Sequence, residues 1–187
     1  MTKNIEKNTR SEMEREVAEC RTLFEKKTRD YGTSWRILRL PSLTDQIYIK
    51  ANRIRSVQES GENRVGDGVR GEFVAMVNYA VMALMQGERL KEKDESYDLP
   101  LEEAMRQYDS QMKQVLDLMM DKNHDYGEAW RQMRISSMVD LILMKLLRIK
   151  QIEDNEGHTL VSEGVEGGYM DIINYSLFCL VRLREEE

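Results

Sequence analysis

A chain of 187 residues, 41% hydrophobic and 33% charged, has the size of one domain or of two very small ones. Eleven glycines and two prolines leave few tight-turn positions, which excludes most all-β and doubly wound α/β layouts and points to an all-α chain. Lys and Arg (28) are outnumbered by Asp and Glu (34), and a net charge of -6 gives no general basic field for a nucleic-acid backbone.

Residues 1–10 mix charged and polar side chains without an apolar core, so they are expected to form a flexible tail and not a secretory signal. An amphipathic helix is predicted from about Ser11 to Arg29. It stops at Asp30-Tyr31-Gly32, where a glycine can adopt the left-handed conformation that closes a helix. A short helix holding Trp35 and two longer helices follow, the second of them apolar on nearly every face from Val69 to Met85. The charged stretch Gly87–Pro100 lacks apolar periodicity and reads as a linker, giving a first repeat at 11–90, a linker at 91–99 and a second repeat at 100–187. The second repeat runs through the same series: a helix from about Leu101 to His124, Asp125-Tyr126-Gly127, a short helix with Trp130, and two more helices. The apolar stretches Phe73–Met85 and Ser137–Ile149 are too short or too interrupted for the roughly 20 residues that span a bilayer, so no membrane partner is expected. Cys20 and Cys179 stand far apart without a Cys-x-x-Cys pair, which fits a reducing, cytoplasmic setting.

The chain is written twice. Aligned without a gap, 30–54 and 125–149 agree at 12 of 25 positions, where chance gives roughly one or two. After one extra residue in the second copy the match resumes with Gly68/Gly164, Gly71/Gly167, Asn78/Asn174 and Tyr79/Tyr175. Two such copies are expected to pack as a tandem-repeat helical bundle with pseudo-two-fold symmetry, its core filled in part by the 13 methionines.

Polar residues interrupt the apolar helices at matched places. Asn78 and Asn174 each sit inside an apolar run, where a carboxamide must either fix helix register or line a ligand cavity. In the second copy Glu163, Glu166, Asp171 and Asn174 fall within an arc of about 140° on one helix, enough oxygen ligands for part of a Mg²⁺ shell. Glu163 and Glu166 are equally explained as a solvated helix start. The preceding helix carries one triplet twice, Asp45, Lys50, Arg53 and Asp140, Lys145, Arg148. A cation pair beside a carboxylate can hold phosphate oxygens and a metal together, or can form a salt-bridge network between copies. Tyr31, Trp35, Tyr126 and Trp130 offer flat faces for a base, although a Trp at such a turn is more often a packing anchor. His124 and His158 have no partner at metal-ligand spacing and are read as surface residues.

The motifs KKTRDYGTSWRILR and DKNHDYGEAWRQMR, each followed by S..D....K..RI and a helix with an NY pair, resemble the nucleotide modification associated domain 1 family in two tandem copies. That family looks related in layout to the MazG-like all-α nucleoside triphosphate pyrophosphohydrolases. The resemblance implies a nucleotide partner and a Mg²⁺-dependent (d)NTP pyrophosphohydrolase; a homo-oligomer is a separate expectation. Glu163 and Asp171 would be catalytic, Asp140, Glu163, Glu166 and Asp171 would ligate metal, Lys145 and Arg148 would hold phosphates, and Asn174 and Trp130 would lie near the base or sugar. Lys50, Arg53 and Asn78 would add binding groups from the first copy. The chain departs from those enzymes in lacking their Glu-x-x-Glu pair on the helix after Ser137. A non-catalytic nucleotide-binding or structural helical module is the other reading. The first copy has Arg70 and Ala75 where the second has Glu166 and Asp171, so a single metal-competent site is expected, centred on Asp171.

Overall fold

The computed structural model describes residues 2–61, 68–160 and 164–186. It contains six helices: α1 (Thr2–Tyr31), α2 (Leu40–Ser60), α3 (Val69–Glu92), α4 (Leu101–Tyr126), α5 (Ile135–Asp154) and α6 (Glu166–Glu185). Short 3₁₀ turns, Ser34–Ile37 and Ala129–Gln132, precede α2 and α5. No strand occurs among the described residues. None of the helices is long and apolar enough to cross a membrane.

The first helix of each repeat stops for the reason its sequence suggests. Gly32 (φ 66°) and Gly127 (φ 59°) take the left-handed conformation and donate their N–H groups to the carbonyls of Thr28 (2.9 Å) and Asn123 (3.0 Å). The chain then bends into the Trp-bearing turn, whose open carbonyls are closed from the last helix of the same repeat. Gln86 Nε2 donates to the carbonyls of Arg36 (3.0 Å) and Leu38 (2.8 Å). In the second repeat Arg182, at the matching position, donates to Arg131 (2.6 Å) and Met133 (3.0 Å). Two different side chains thus satisfy one backbone need.

Helices α3 and α6 lie at the centre. Phe73, Met76, Val77 and Ala80 on α3 and Tyr169, Ile172, Ile173, Leu177 and Leu180 on α6 are almost wholly buried, each large side chain contributing about 1.5–3 kcal/mol. Every helix of one repeat touches its counterpart in the other, α1 with α4, α2 with α5 and α3 with α6. Like packing on like is what a two-fold arrangement requires, so the bundle is a pseudo-symmetric pair held in one chain. Ion pairs repeat the symmetry: Asp45 on α2 with Lys150 on α5, and Asp140 on α5 with Arg55 on α2 at 3.7 Å.

Helix α1 begins at Thr2, well before the expected Ser11. Its early turns dock on polar groups of the second repeat, which apolar periodicity does not register. Thr9 is fully buried, with its hydroxyl on Glu128 and on the Arg131 guanidinium (2.9 Å), and Glu12 pairs with Arg131 at 2.5 Å. At the other boundary α3 continues to Glu92, through the first six residues of the charged stretch that follows Gln86.

Candidate functional site

Beside the start of α6 a cavity of about 480 Å³ opens between three helices of the second repeat. Leu118 and Lys122 enter from α4, Lys145, Arg148, Ile149 and Ile152 from α5, and Gly164, Gly167, Gly168 and Asp171 from the α6 end. Asp171 stands between two lysines, accepting from Lys145 at 2.6 Å and Lys122 at 3.3 Å. Arg148 is exposed at the rim and has no ion-pair partner among the described residues. Three cations thus surround one carboxylate. The wall between them is made of glycine at the first turn of a helix, where backbone N–H groups lack intrahelical acceptors and gather partial positive charge.

The same positions in the first repeat explain why this cavity exists. Lys50 and Arg53 correspond to Lys145 and Arg148, and both close on Glu72, Lys50 at 3.3 Å. Glu72 is buried against them. In the register of the duplication Glu72 corresponds to Gly168, while Asp171 corresponds to Ala75. The second repeat has therefore lost the carboxylate that neutralises the cation pair and has gained another one turn farther along. A Cβ at Gly168 would lie 2.9 Å from Ile149, so the glycine also lets α6 approach α5 closely.

Of the predicted metal ligands, the three within the described residues do not converge. Asp140 pairs with Arg55 on the outer face of the bundle, Glu166 with Lys91 of α3, and Asp171 with the two lysines. No three His, Cys, Asp or Glu side chains come together at metal-binding separation among the described residues. Glu163 and Asp67 lie outside the described residues, as does the Tyr126 side chain. The repeated triplet is split: Asp45 and Asp140 serve the α2–α5 ion pairs, whereas the cations five and eight residues later turn toward α3 or α6. At about 100° per residue, five positions carry a side chain some 140° around the helix, onto another flank.

The two asparagines part company. Asn78 Nδ2 donates to the Cys20 carbonyl (3.0 Å) and its Oδ1 accepts from the Tyr108 hydroxyl (2.9 Å), tying α3 to both α1 and α4. Asn174, equally buried, has an Oδ1 without a partner and does not line the cavity. The counterpart of Tyr108 in the first repeat is Met13, which has no hydroxyl to give. Trp130 is a packing residue: Phe178 stacks on it at 4.5 Å and 7°, and the Arg131 guanidinium lies 4.3 Å from the ring centre.

Lys122 and Gly168 belong to the cavity and are missed by motif reading. Lys122 was signalled by its counterpart Lys27, three residues before Asp30 as Lys122 is before Asp125, and Gly168 by the loss of a charge that its counterpart carries.

No curated protein and no solved structure matches the chain. The pattern of the nucleotide modification associated domain 1 family matches it twice, over residues 27–86 and 122–183, which are the two halves that the α1–α4, α2–α5 and α3–α6 contacts pair. The chain therefore belongs to that family and carries its domain in two copies.

Proposed function

We propose that this protein binds a nucleotide by its phosphates, in the second-repeat cavity, with Lys122, Lys145 and Arg148 as the cationic ligands. The observation that carries this reading is the exchange of Glu72 for Gly168. Where the first repeat supplies its own anion to the cation pair, the second keeps both cations and leaves the place of the anion to solvent. Asp171 holds the two lysines toward one another, and Arg148 offers a planar fork suited to phosphate oxygens. The family's association with nucleotide modification supports a nucleotide as the phosphate carrier. A divalent ion on helix carboxylates needs at least one or two of them directed at a shared point, together with substrate oxygens. Asp140, Glu166 and Asp171 occupy three separate ion pairs, and we derive no hydrolytic step through Mg²⁺.

Calorimetric titration of the full chain with each canonical dNTP, with and without Mg²⁺, tests the reading. Binding at this site is expected without the metal, one Arg148-dependent equivalent per chain, and Arg148→Ala should weaken that equivalent about 10- to 100-fold, the cost of one charge-assisted hydrogen bond. Pyrophosphate release in the same samples would replace the binding module by an enzyme. Unchanged affinity in Arg148→Ala and Lys145→Met would remove the site.

A further inference from the structure

The first repeat holds a second cavity of about 300 Å³, at the low end of the roughly 300–1,000 Å³ typical of small-molecule sites. Trp35, Tyr31 and Tyr79 bring aromatic surface to it, Lys27 and Asn78 bring polar groups, and Met82 closes one side. Its counterpart in the second repeat shows what shape belongs there. Met82 corresponds to Phe178, and Phe178 lies flat on Trp130 at 4.5 Å with Tyr175 edge-on against it at 6.2 Å. Trp35 and Tyr79 are the counterparts of Trp130 and Tyr175, so the first repeat retains the indole and the edge-on tyrosine but lacks the ring between them.

The Trp faces differ in a second respect. Arg131 covers Trp130, whereas its counterpart Arg36 is drawn away into the linker, where it donates to the Ser96 carbonyl (2.9 Å) and pairs with Asp94 (2.5 Å). No aromatic ring and no guanidinium stacks on Trp35 among the described residues. The indole N–H is buried without a partner among the described residues in both repeats, and Trp35 is 8% exposed, so the contrast lies in what stands beside the ring: a stacked phenyl at Phe178, or the flexible Met82, which an incoming ring must turn aside.

We infer that the first-repeat cavity is a binding site for a planar heteroaromatic ring of nucleobase size, stacked on Trp35 where Phe178 stacks on Trp130. A base stacked on an aromatic side chain gains about 1–3 kcal/mol and is accepted with little regard to its identity. Tyr31, 57% exposed at the rim, is placed to cover the outer edge. This site is separate from the phosphate cavity: it needs no anion, and it takes its ligand in the other repeat.

Phosphate-free nucleosides isolate it. Titrating adenosine, guanosine, cytidine and thymidine into the full chain, with indole fluorescence and calorimetry as readouts, should give saturable binding of at least one of them. Met82→Phe, which copies the second repeat's own filling, should weaken that binding at least tenfold while leaving the melting temperature as high or higher. Ala75→Leu fills the cavity from two turns earlier on the same face of α3 and should act the same way if Met82→Phe does not fold. Arg148→Ala, in the other cavity, should leave nucleoside binding unchanged and weaken binding of inorganic pyrophosphate about 10- to 100-fold. Absence of saturable binding by all four nucleosides would overturn the inference, as would binding that persists in both filled variants.

Discussion

In the first repeat Lys50 and Arg53 close on Glu72, while in the second Lys145 reaches past Gly168 to Asp171, one turn farther along, and Arg148 stands exposed at the rim. Around the tryptophans the relation is reversed, with the second repeat filled by Phe178 and the first left open beside Met82. Each half thus carries, as one of its own side chains, a replica of the chemistry its partner leaves open. On the proposed reading, an ion-paired carboxylate stands where its counterpart takes an anion, and a stacked phenyl stands where its counterpart takes a flat ring. The lesson is that a duplicated fold documents its own cavities, because shared backbone isolates the effect of a single exchanged residue.

The harshest way to break the comparison is to separate the repeats. Residues 100–187 expressed alone should show no cooperative thermal transition by circular dichroism, since α6 would lose α3 and α4 would lose α1. A sharp melting transition of that fragment as a monomer would mean the halves are independent. Next comes Glu16, fully buried on α1 and held by Arg184 at 2.6 Å and Arg70 at 2.5 Å, whose counterpart Gln111 makes one neutral-to-charged bond to Glu88. Glu16→Ala should cost about 3 kcal/mol, because two guanidinium groups lose a buried partner. Gln111→Ala should cost about 1 kcal/mol, both read from denaturant midpoints.

The asparagines give a smaller contrast. Asn78→Leu strands the Tyr108 hydroxyl and removes a second bond to the Cys20 carbonyl, for about 2 kcal/mol, whereas Asn174→Leu removes an orphaned oxygen and should be neutral or stabilising. Equal losses at both positions would show that Asn174 has a structural partner after all.

Two glutamates should then respond to pH with opposite signs. Burial pushes Glu153 up from the usual 4.5, partly offset by hydrogen bonds from Thr44 and Tyr169, so its folded form favours the proton. That contribution is full below 4.5 and is lost as pH rises through the raised folded value. Glu153→Gln, which copies its counterpart Gln58, should therefore raise the melting temperature at pH 7 and lose this advantage near pH 4. Burial also pushes Glu16 upward, but hydrogen bonds from Arg184 and Arg70 outweigh it and leave the carboxyl below its usual value. Its contribution is present above 4.5 and is lost as pH falls through the lowered folded value, which Glu16→Gln should abolish. The smallest effect is expected from Ala75→Asp, which sets the second repeat's carboxylate beside Lys27 at the open cavity. A change within about 0.5 kcal/mol in stability is expected, and a larger loss would mean that the two helix faces are not interchangeable.

Much of the frame is legible in the sequence. Apolar periodicity and the two Asp-Tyr-Gly turns predict the helices and their ends, and twelve identities in 25 aligned positions predict the pairing of halves. The site is less legible, for reasons of geometry. Helical angles place Glu166, Asp171 and Asn174 on one arc, but they say nothing about what approaches that arc, and Lys91, Lys122 and Lys145 arrive from three other helices. A tryptophan has the same letter whether Phe178 covers it or Met82 leaves it open. Such distinctions belong to contacts between elements 26 to 75 residues apart in the chain, beyond the reach of any local pattern.

The central contact between α3 and α6 also bears on how the chain leaves the ribosome. Helix α3 ends at Glu92 and its partner α6 ends at Glu185, so at about 5–20 residues per second α3 waits roughly 5–20 s with Phe73, Met76 and Val77 uncovered. During that interval the surface best able to shelter it is the α3 of a neighbouring nascent chain, since like already packs on like across the pseudo-dyad. Neighbouring chains on a polysome are thus natural competitors for a contact that each must eventually make with itself.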